Sequence, residues 1–291
     1  MRDNPAPTAT LQALKTASRK IVMVTAYDYV SARVAAQAGV DIVLVGDSAA
    51  NTVLGYTSTR DVSLAEMTML AAAVRRGLTA EEKPDAPAPV LVGDMPYGTY
   101  EPGDAAAVET ARRFEAAGCD AVKLEGAGPS VARVRAIVAA GIPVMGHVGL
   151  LPQQAAAGGL RARGRTADEA LGIARDARAL EDAGCFAIVF EAIPAAVAAL
   201  AVPTLRIPVI GIGAGGATDG QVLVFHDIVG LTDGRTPRFV KRYAELFGEM
   251  VTAVRDFASD VRGGRYPGGE HEYGIEDEEL ERLKKALRAA N

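Results

Sequence analysis

Five apolar runs in this chain of 291 residues end on an acid or an imidazole: DIVLVGDS (41–48), VLVGDMP (90–96), AVKLEG (121–126), PVMGHVG (143–149) and AIVFEAI (187–193). Their polar tips are Asp47, Asp94, Glu125, His147 and Glu191. Brought together, the three carboxylates Asp47, Asp94 and Glu125 make a hard, oxygen-only site that suits Mg²⁺ or another hard divalent cation. Without a cation their mutual repulsion is costly. Lys123 precedes Glu125 by two residues, so on a strand the two side chains share a face. An ammonium beside the acids could neutralise an anionic substrate or form a Schiff base, and a metal favours the first use. His147 is expected to hydrogen-bond the substrate. Glu191, with Val189, Phe190 and Ile193 around it, is expected to be a general base, because removing water from a carboxylate makes it a better proton acceptor.

Each residue also has a plainer reading. A strand-end acid can cap the next helix or pair with an arginine, a buried glutamate can do the latter, and a lone lysine usually lies along the surface. Such a reading is easy for one acid and harder for three at equivalent strand ends, and Lys123 sits between Val122 and Leu124 in a buried-strand pattern. Of the other histidines, His226 is read as either a site residue or a satisfied structural one, and His271, in a Gly-rich tail, as surface. GIGAGG (211–216) has the composition of a phosphate-binding glycine loop, or lets backbone approach a ligand.

Only a fold that gathers strand ends can bring the five tips together. Strands are expected at 21–26, 42–45, 90–94, 121–125, 143–147, 187–191, 208–216 and 221–228. Helices are expected between most of them, at 64–76, 105–117, 130–140, 167–183 and 195–200. The strand runs lack polar alternation, so both faces are covered, as in a parallel sheet wrapped by helices. Gly39, Gly118, Gly141 and Gly184 follow helix ends at unequal spacing, where glycine serves as a left-handed cap. This is repeated βα construction and not a fixed-period solenoid. Eight strands imply an α/β fold, a closed (β/α)₈ (TIM) barrel in a single domain, with function at the carboxyl ends of its strands. Residues 1–20 are expected to be a leader with a short amphipathic turn at 11–14, 21–262 the barrel with a helix at 238–261, and 263–291 a tail with a terminal helix. The long connections after Ser48 and after Gly149 are expected to be functional, since structureless loops of that length are uncommon. A proline-rich linker is expected at 81–89.

Hydrophobic residues at 49% and charged residues at 23% describe an ordinary globular chain. With 31 Lys+Arg against 36 Asp+Glu there is no basic excess to drive nucleic-acid binding. The first 20 residues lack the apolar run of a signal peptide, and no stretch approaches the roughly 18 apolar residues of a spanning helix, so no membrane association and a cytoplasmic location are expected. Cys119 and Cys185 each follow an Ala-Gly pair at a strand start and are expected to be small core residues, not a disulfide or metal pair.

The strings TAYDY, AGVDIVLVGDS, VLGYTST, DMPYGTY, AVKLEG, GIPVMGHVGLLPQ, FAIVFEAIP, IPVIGIGAG, DGQVLVFHDIVGL, FVKRYAEL and EHEY, spread over roughly residues 20–273, resemble the ketopantoate hydroxymethyltransferase family. The resemblance implies transfer of a hydroxymethyl group from 5,10-methylenetetrahydrofolate to the keto acid 3-methyl-2-oxobutanoate, giving ketopantoate in pantothenate synthesis. It implies that Asp47, Asp94 and Glu125 fall on the family's Mg²⁺ site. Asp47, Ser48, Asp94, Lys123 and His147 fall on its keto-acid contacts, and Glu191 on its general base. It also implies a homo-oligomer, commonly a decamer. The chain departs from the family at Leu151 (usually Thr), at GGLRA (usually GGYKV-like, the preceding loop one residue longer), at VGDSAANTVLG (commonly VGDSLGMVVLG) and at Ala192 (often Cys). None of these removes a metal or base residue, so they bear on loop closure and folate contacts. A relative in the phosphoenolpyruvate mutase and isocitrate lyase group would share Mg²⁺-enolate chemistry, but its KKCGH-like loop is absent. A non-catalytic barrel would have no physical need for three mutually repelling acids.

Overall fold

In the computed structural model, which describes residues 7–80, 88–154, 161–232, 234 and 236–290, eight parallel strands pair in sequence order and close on themselves. They are β1 (Ile21–Thr25), β2 (Ile42–Val45), β3 (Val90–Asp94), β4 (Ala121–Lys123), β5 (Val144–Gly149), β6 (Ala187–Glu191), β7 (Val209–Ile212) and β8 (Gly220–Leu223), with β8 pairing β1. The helices are α1 (Pro7–Thr16), α2 (Tyr29–Ala38), α3 (Ala49–Thr52), α4 (Leu64–Leu78), α5 (Asp104–Ala116), α6 (Ser130–Ala139), α7 (Ala167–Asp182), α8 (Ala195–Ala201), α9 (Phe225–Ile228), α10 (Leu246–Arg262) and α11 (Asp277–Ala289). The expected closed (β/α)₈ barrel is therefore present.

Local chemistry starts and stops these helices. Asp28 and Ser31 form a capping box at α2, and Ser63 with Glu66 does the same at α4. Gly39 ends α2 at φ 73°, a left-handed position that a Cβ would disfavour.

Two apolar layers follow from strand alternation. Ile42 and Leu44, Val90 and Val92, Met145, and Ala187 and Val189 fill the barrel interior, and Leu11 and Leu14 of α1 join this cluster. The intervening residues, such as Val43, Leu91, Val122 and Ile188, pack outward against the helices. Continuing the inner columns by two residues gives Asp94 after Val92, Lys123 after Ala121, His147 after Met145 and Glu191 after Val189. The core thus aims the site. On the outward side, Gly93 makes room for α5: a Cβ there would lie 2.3 Å from the Phe114 ring.

Two expected elements differ. The eighth strand stops at Leu223, because the Phe225 N–H turns to Thr25 Oγ1 (3.0 Å) and opens α9. His226 therefore lies on a short helix and not at a strand tip. The helix expected at 238–261 starts only at Leu246, since the chain before it is held by non-helical bonds: Tyr243 N–H to the Ile228 carbonyl (2.8 Å) and Arg242 to the Thr232 carbonyl (3.1 Å). The linker expected at 81–89 and the GGLRA string lie wholly or partly outside the described residues.

By internal contacts the chain forms two compact units, Met1–Ala244, which contains the barrel, and Glu245–Asn291. In the second, α10 leaves Phe247, Met250, Val254, Phe257 and Val261 exposed, and α11 runs from acidic to basic with Arg282–Glu279 and Lys284–Glu281 pairs. His271 is exposed there. Among the described residues no helix is long and apolar enough to cross a membrane. Cys119 and Cys185 are free and buried, and burial pushes both thiols up to about 12.

Candidate active site

The carboxyl ends of β2 to β6 bring Asp47, Asp94, Lys123, Glu125, His147 and Glu191 into one cluster. Lys123 Nζ donates to both oxygens of Asp94, at 2.7 Å each, and both side chains are buried. The Asp47 N–H donates to Asp94 Oδ2 at 3.1 Å, fixing the tip of β2 to that of β3. His147 stands between two acids, its Nδ1 3.6 Å from Glu125 Oε1 and its Nε2 3.2 Å from Glu191 Oε2. Neither contact has hydrogen-bond alignment, so both ring nitrogens and Glu125 Oε1 are buried without a partner. Shared parity of Lys123 and Glu125 holds: both are buried and both sense the same acids.

Electrostatics follow from this crowding. Burial, then the charge of Asp94, raises Asp47 to about 7. Burial lifts Glu125 well above the usual carboxylate range, against the pull of Lys123. Burial alone would depress Lys123, but Asp94, then Asp47 and Glu125, hold it above the ordinary lysine value, so it stays charged. Burial and then the Lys123 charge lower His147, keeping it neutral.

Glu191 differs from the rest. Its side chain is 16% exposed, the open member of a buried group. Three backbone bonds hold its turn: Leu150 N–H to the Glu191 carbonyl (2.9 Å), Ala192 N–H to Ile212 O (2.8 Å) and Arg163 N–H to Ala192 O (2.9 Å). Ala192 takes φ 49°, a strained setting for a residue with a Cβ. Gly149, at φ 98°, allows the approach of β5, since a Cβ would meet the Glu191 carbonyl at 2.3 Å.

Ser48 lies at the start of α3 without a capping bond, and its hydroxyl pairs with Tyr27 OH at 2.7 Å. Burial raises Tyr27 to about 12. The His226 ring packs tilted against Tyr27, ring centres 5.5 Å apart, with its Nδ1 buried and unpartnered. Three of the GIGAGG glycines are packing positions: a Cβ at Gly211, Gly213 or Gly215 would strike Thr218, Phe239 or Ala195, whereas Gly216 has open space.

Sequence reasoning overlooked the uncharged members. Gln153, fully buried in the turn Pro152–Gln154, donates from Nε2 to Asp47 Oδ2 (3.1 Å) and to Met95 O (3.1 Å), and from its backbone N–H to Glu125 Oε2 (3.1 Å). Tyr100 OH donates to Gln153 Oε1 at 2.8 Å. The strings GLLPQ and DMPYGTY held the only signal for them.

The donor set fits a hard cation in kind: adjacent Asp47 and Asp94, and an orphaned, buried Glu125 oxygen. Among the described residues no three His, Cys, Asp or Glu side chains converge to hold a metal unaided. Mg²⁺ ordinarily takes one or two protein carboxylates, with water and substrate filling the remaining positions.

A family model, described as ketopantoate hydroxymethyltransferase, matches residues 6–269. The chain belongs to the ketopantoate hydroxymethyltransferase family. A relative from Oleidesulfovibrio alaskensis, named 3-methyl-2-oxobutanoate hydroxymethyltransferase, is 49% identical over 94% of this chain and 93% of its own. One of the same name from Deinococcus radiodurans is 47% identical over 95% of this chain and 96% of its own. Among solved structures, phosphonopyruvate hydrolase with oxalate and Mg²⁺ aligns at TM-score 0.58 and 15% identity over 98% of this chain and 97% of that one. The 2,3-dimethylmalate lyase of the PEP mutase/isocitrate lyase superfamily aligns at 0.56 and 20% over 99% of both. At such identity the likeness is one of fold. This chain thus shares its barrel architecture with those two enzymes, which by itself says nothing of a shared reaction.

Proposed function

We propose that this barrel mouth converts 3-methyl-2-oxobutanoate to ketopantoate, a step of pantothenate synthesis, with 5,10-methylenetetrahydrofolate as one-carbon donor and Glu191 as base. The observation that carries the reading is the asymmetry of the cluster: one partly open carboxylate faces a buried floor of three acids and a charged lysine. Lys123 balances the substrate carboxylate, and Ser48, steadied by Tyr27, offers a hydroxyl to it. His147, neutral, lends a hydrogen bond. Glu191 takes the C3 proton, and the electron pair left behind delocalises onto the keto oxygen. C3 then bonds to the one-carbon unit, whose bonds to the folate nitrogens break and whose hydroxyl comes from water.

Asp47, Asp94 and Glu125 would hold Mg²⁺, which when bound supplies Lewis-acid stabilisation of charge developing on the keto oxygen. Burial serves the same end, because water excluded from the floor no longer screens these charges.

The test is direct: pure protein, keto acid, methylenetetrahydrofolate and Mg²⁺ should yield ketopantoate, and EDTA should abolish it. No product, or product indifferent to EDTA, overturns the reading. A homo-oligomer, a decamer by family resemblance, is part of the proposal, and light scattering reads its size.

A further inference from the structure

Gln153 is fully buried, uncharged and carried on a connection, yet it touches the tips of three strands. Its amide cannot be turned round. The Glu125 N–H donates to Tyr100 OH (3.4 Å), so the tyrosine proton is free for Gln153 Oε1, and the Nε2 protons go to Asp47 Oδ2 and Met95 O. Its own N–H donates to Glu125 Oε2. One residue therefore places neutral donors on two acids that repel each other, one from β2 and one beyond β4. A charged donor would do this too, but it would cancel the negative charge a cation needs.

We propose that Gln153 is a positioning residue for the reaction: it sets the spacing and direction of Asp47 and Glu125, with Tyr100 locking its amide. The proposal rests on the transferase reading for its activity arm only. One oxygen of each acid is committed to Gln153, while Glu125 Oε1 stays unpartnered and turned to the cluster. A carboxylate held by one oxygen keeps its other in a fixed direction, and a ligand acid left without its outer partner binds metal or reacts about 10- to 100-fold worse.

The test compares Gln153→Met, similar in length and without polar atoms, with wild type. Calorimetry without substrate reads Mg²⁺ affinity. Loss of the C3 proton of the keto acid in deuterated buffer, without folate, reads the first chemical step. Gln153→Met is expected to weaken Mg²⁺ binding and slow exchange at saturating keto acid, each about 10- to 100-fold. A structural role alone would shift the melting temperature and leave both unchanged, and that result overturns the proposal. If Gln153→Met does not fold, Tyr100→Phe decides, with the same two shifts expected, smaller, in a folded protein. Wild type that binds Mg²⁺ without exchanging the proton sinks the transferase reading and leaves the affinity arm to judge Gln153. Wild type that does neither overturns both.

Discussion

The two ends of the barrel use the same residue types to opposite effect. At the amino ends of the strands, Asp41, Asp120 and Asp219 each accept a backbone N–H from a neighbouring strand at 2.8 Å: Val22, Leu91 and Val209 respectively. Arg75 pairs with Asp120 at 2.6 Å, and Lys15 with Asp219 at 2.9 Å. Each acid there has its own donors. At the carboxyl ends, Asp47, Asp94, Glu125 and Glu191 crowd around one charged lysine, with Gln153 the neutral donor to Asp47 and Glu125, and some buried polar atoms go unpartnered. One end spends its charges on holding strands, while the other crowds its acids together and leaves Glu125 Oε1 and both His147 nitrogens without a partner.

The contrast can be broken most severely at Glu191. Glu191→Gln should retain keto-acid and Mg²⁺ binding and lose C3 proton exchange by about 10²- to 10⁴-fold, the usual worth of a positioned base. Unchanged exchange in deuterated buffer would remove Glu191 from that role. Next comes Lys123→Met, which leaves Asp94 buried without its cation. A loss of about 3–5 kcal/mol is expected from denaturant unfolding, and a loss below 1 kcal/mol would mean the pair is not truly desolvated.

How much of this was legible in sequence divides along the same line. The acids were, because an apolar run that ends on a carboxylate marks a strand tip, and closure was, because eight apolar strand runs imply a barrel. Gln153 and Tyr100 were not, because an amide and a phenol in a loop are ordinary until their partners are known, and those partners lie 25 to 106 residues away. His226 was misplaced because QVLVFHDI reads as one apolar run, and only the tertiary bond from Phe225 to Thr25 ends the strand at Leu223. The amino-end acids drew no notice as anchors, since they precede their strands and a partner such as Lys15 of Asp219 lies 204 residues away.

Two finer tests sharpen the comparison. Asp47, raised to about 7 by burial and by Asp94, keeps a proton when folded that the unfolded chain releases near pH 4. Between those values the folded state binds more protons, so this group makes stability fall as pH rises. Asp47→Asn in EDTA should gain on wild type from about pH 4 to about 7 and hold the gain above. A melting-temperature difference equal at pH 5 and pH 8 would contradict this. Smallest should be Asp219→Asn at the opposite end, costing about 1 kcal/mol through a partly exposed pair and leaving turnover unchanged. A matching fall in turnover would mean the two ends are not independent.

Asp94 is also governed from outside the barrel. Gly93 lies against the Phe114 ring, with no room for even a methyl group, and a shift of that strand displaces the tip that Lys123 and Asp47 hold. Natural selection on the chemistry therefore reaches a helix packed on the outer face of the barrel. As the gene drifts, a methyl group gained at 93 would register as lost activity unless position 114 became smaller with it.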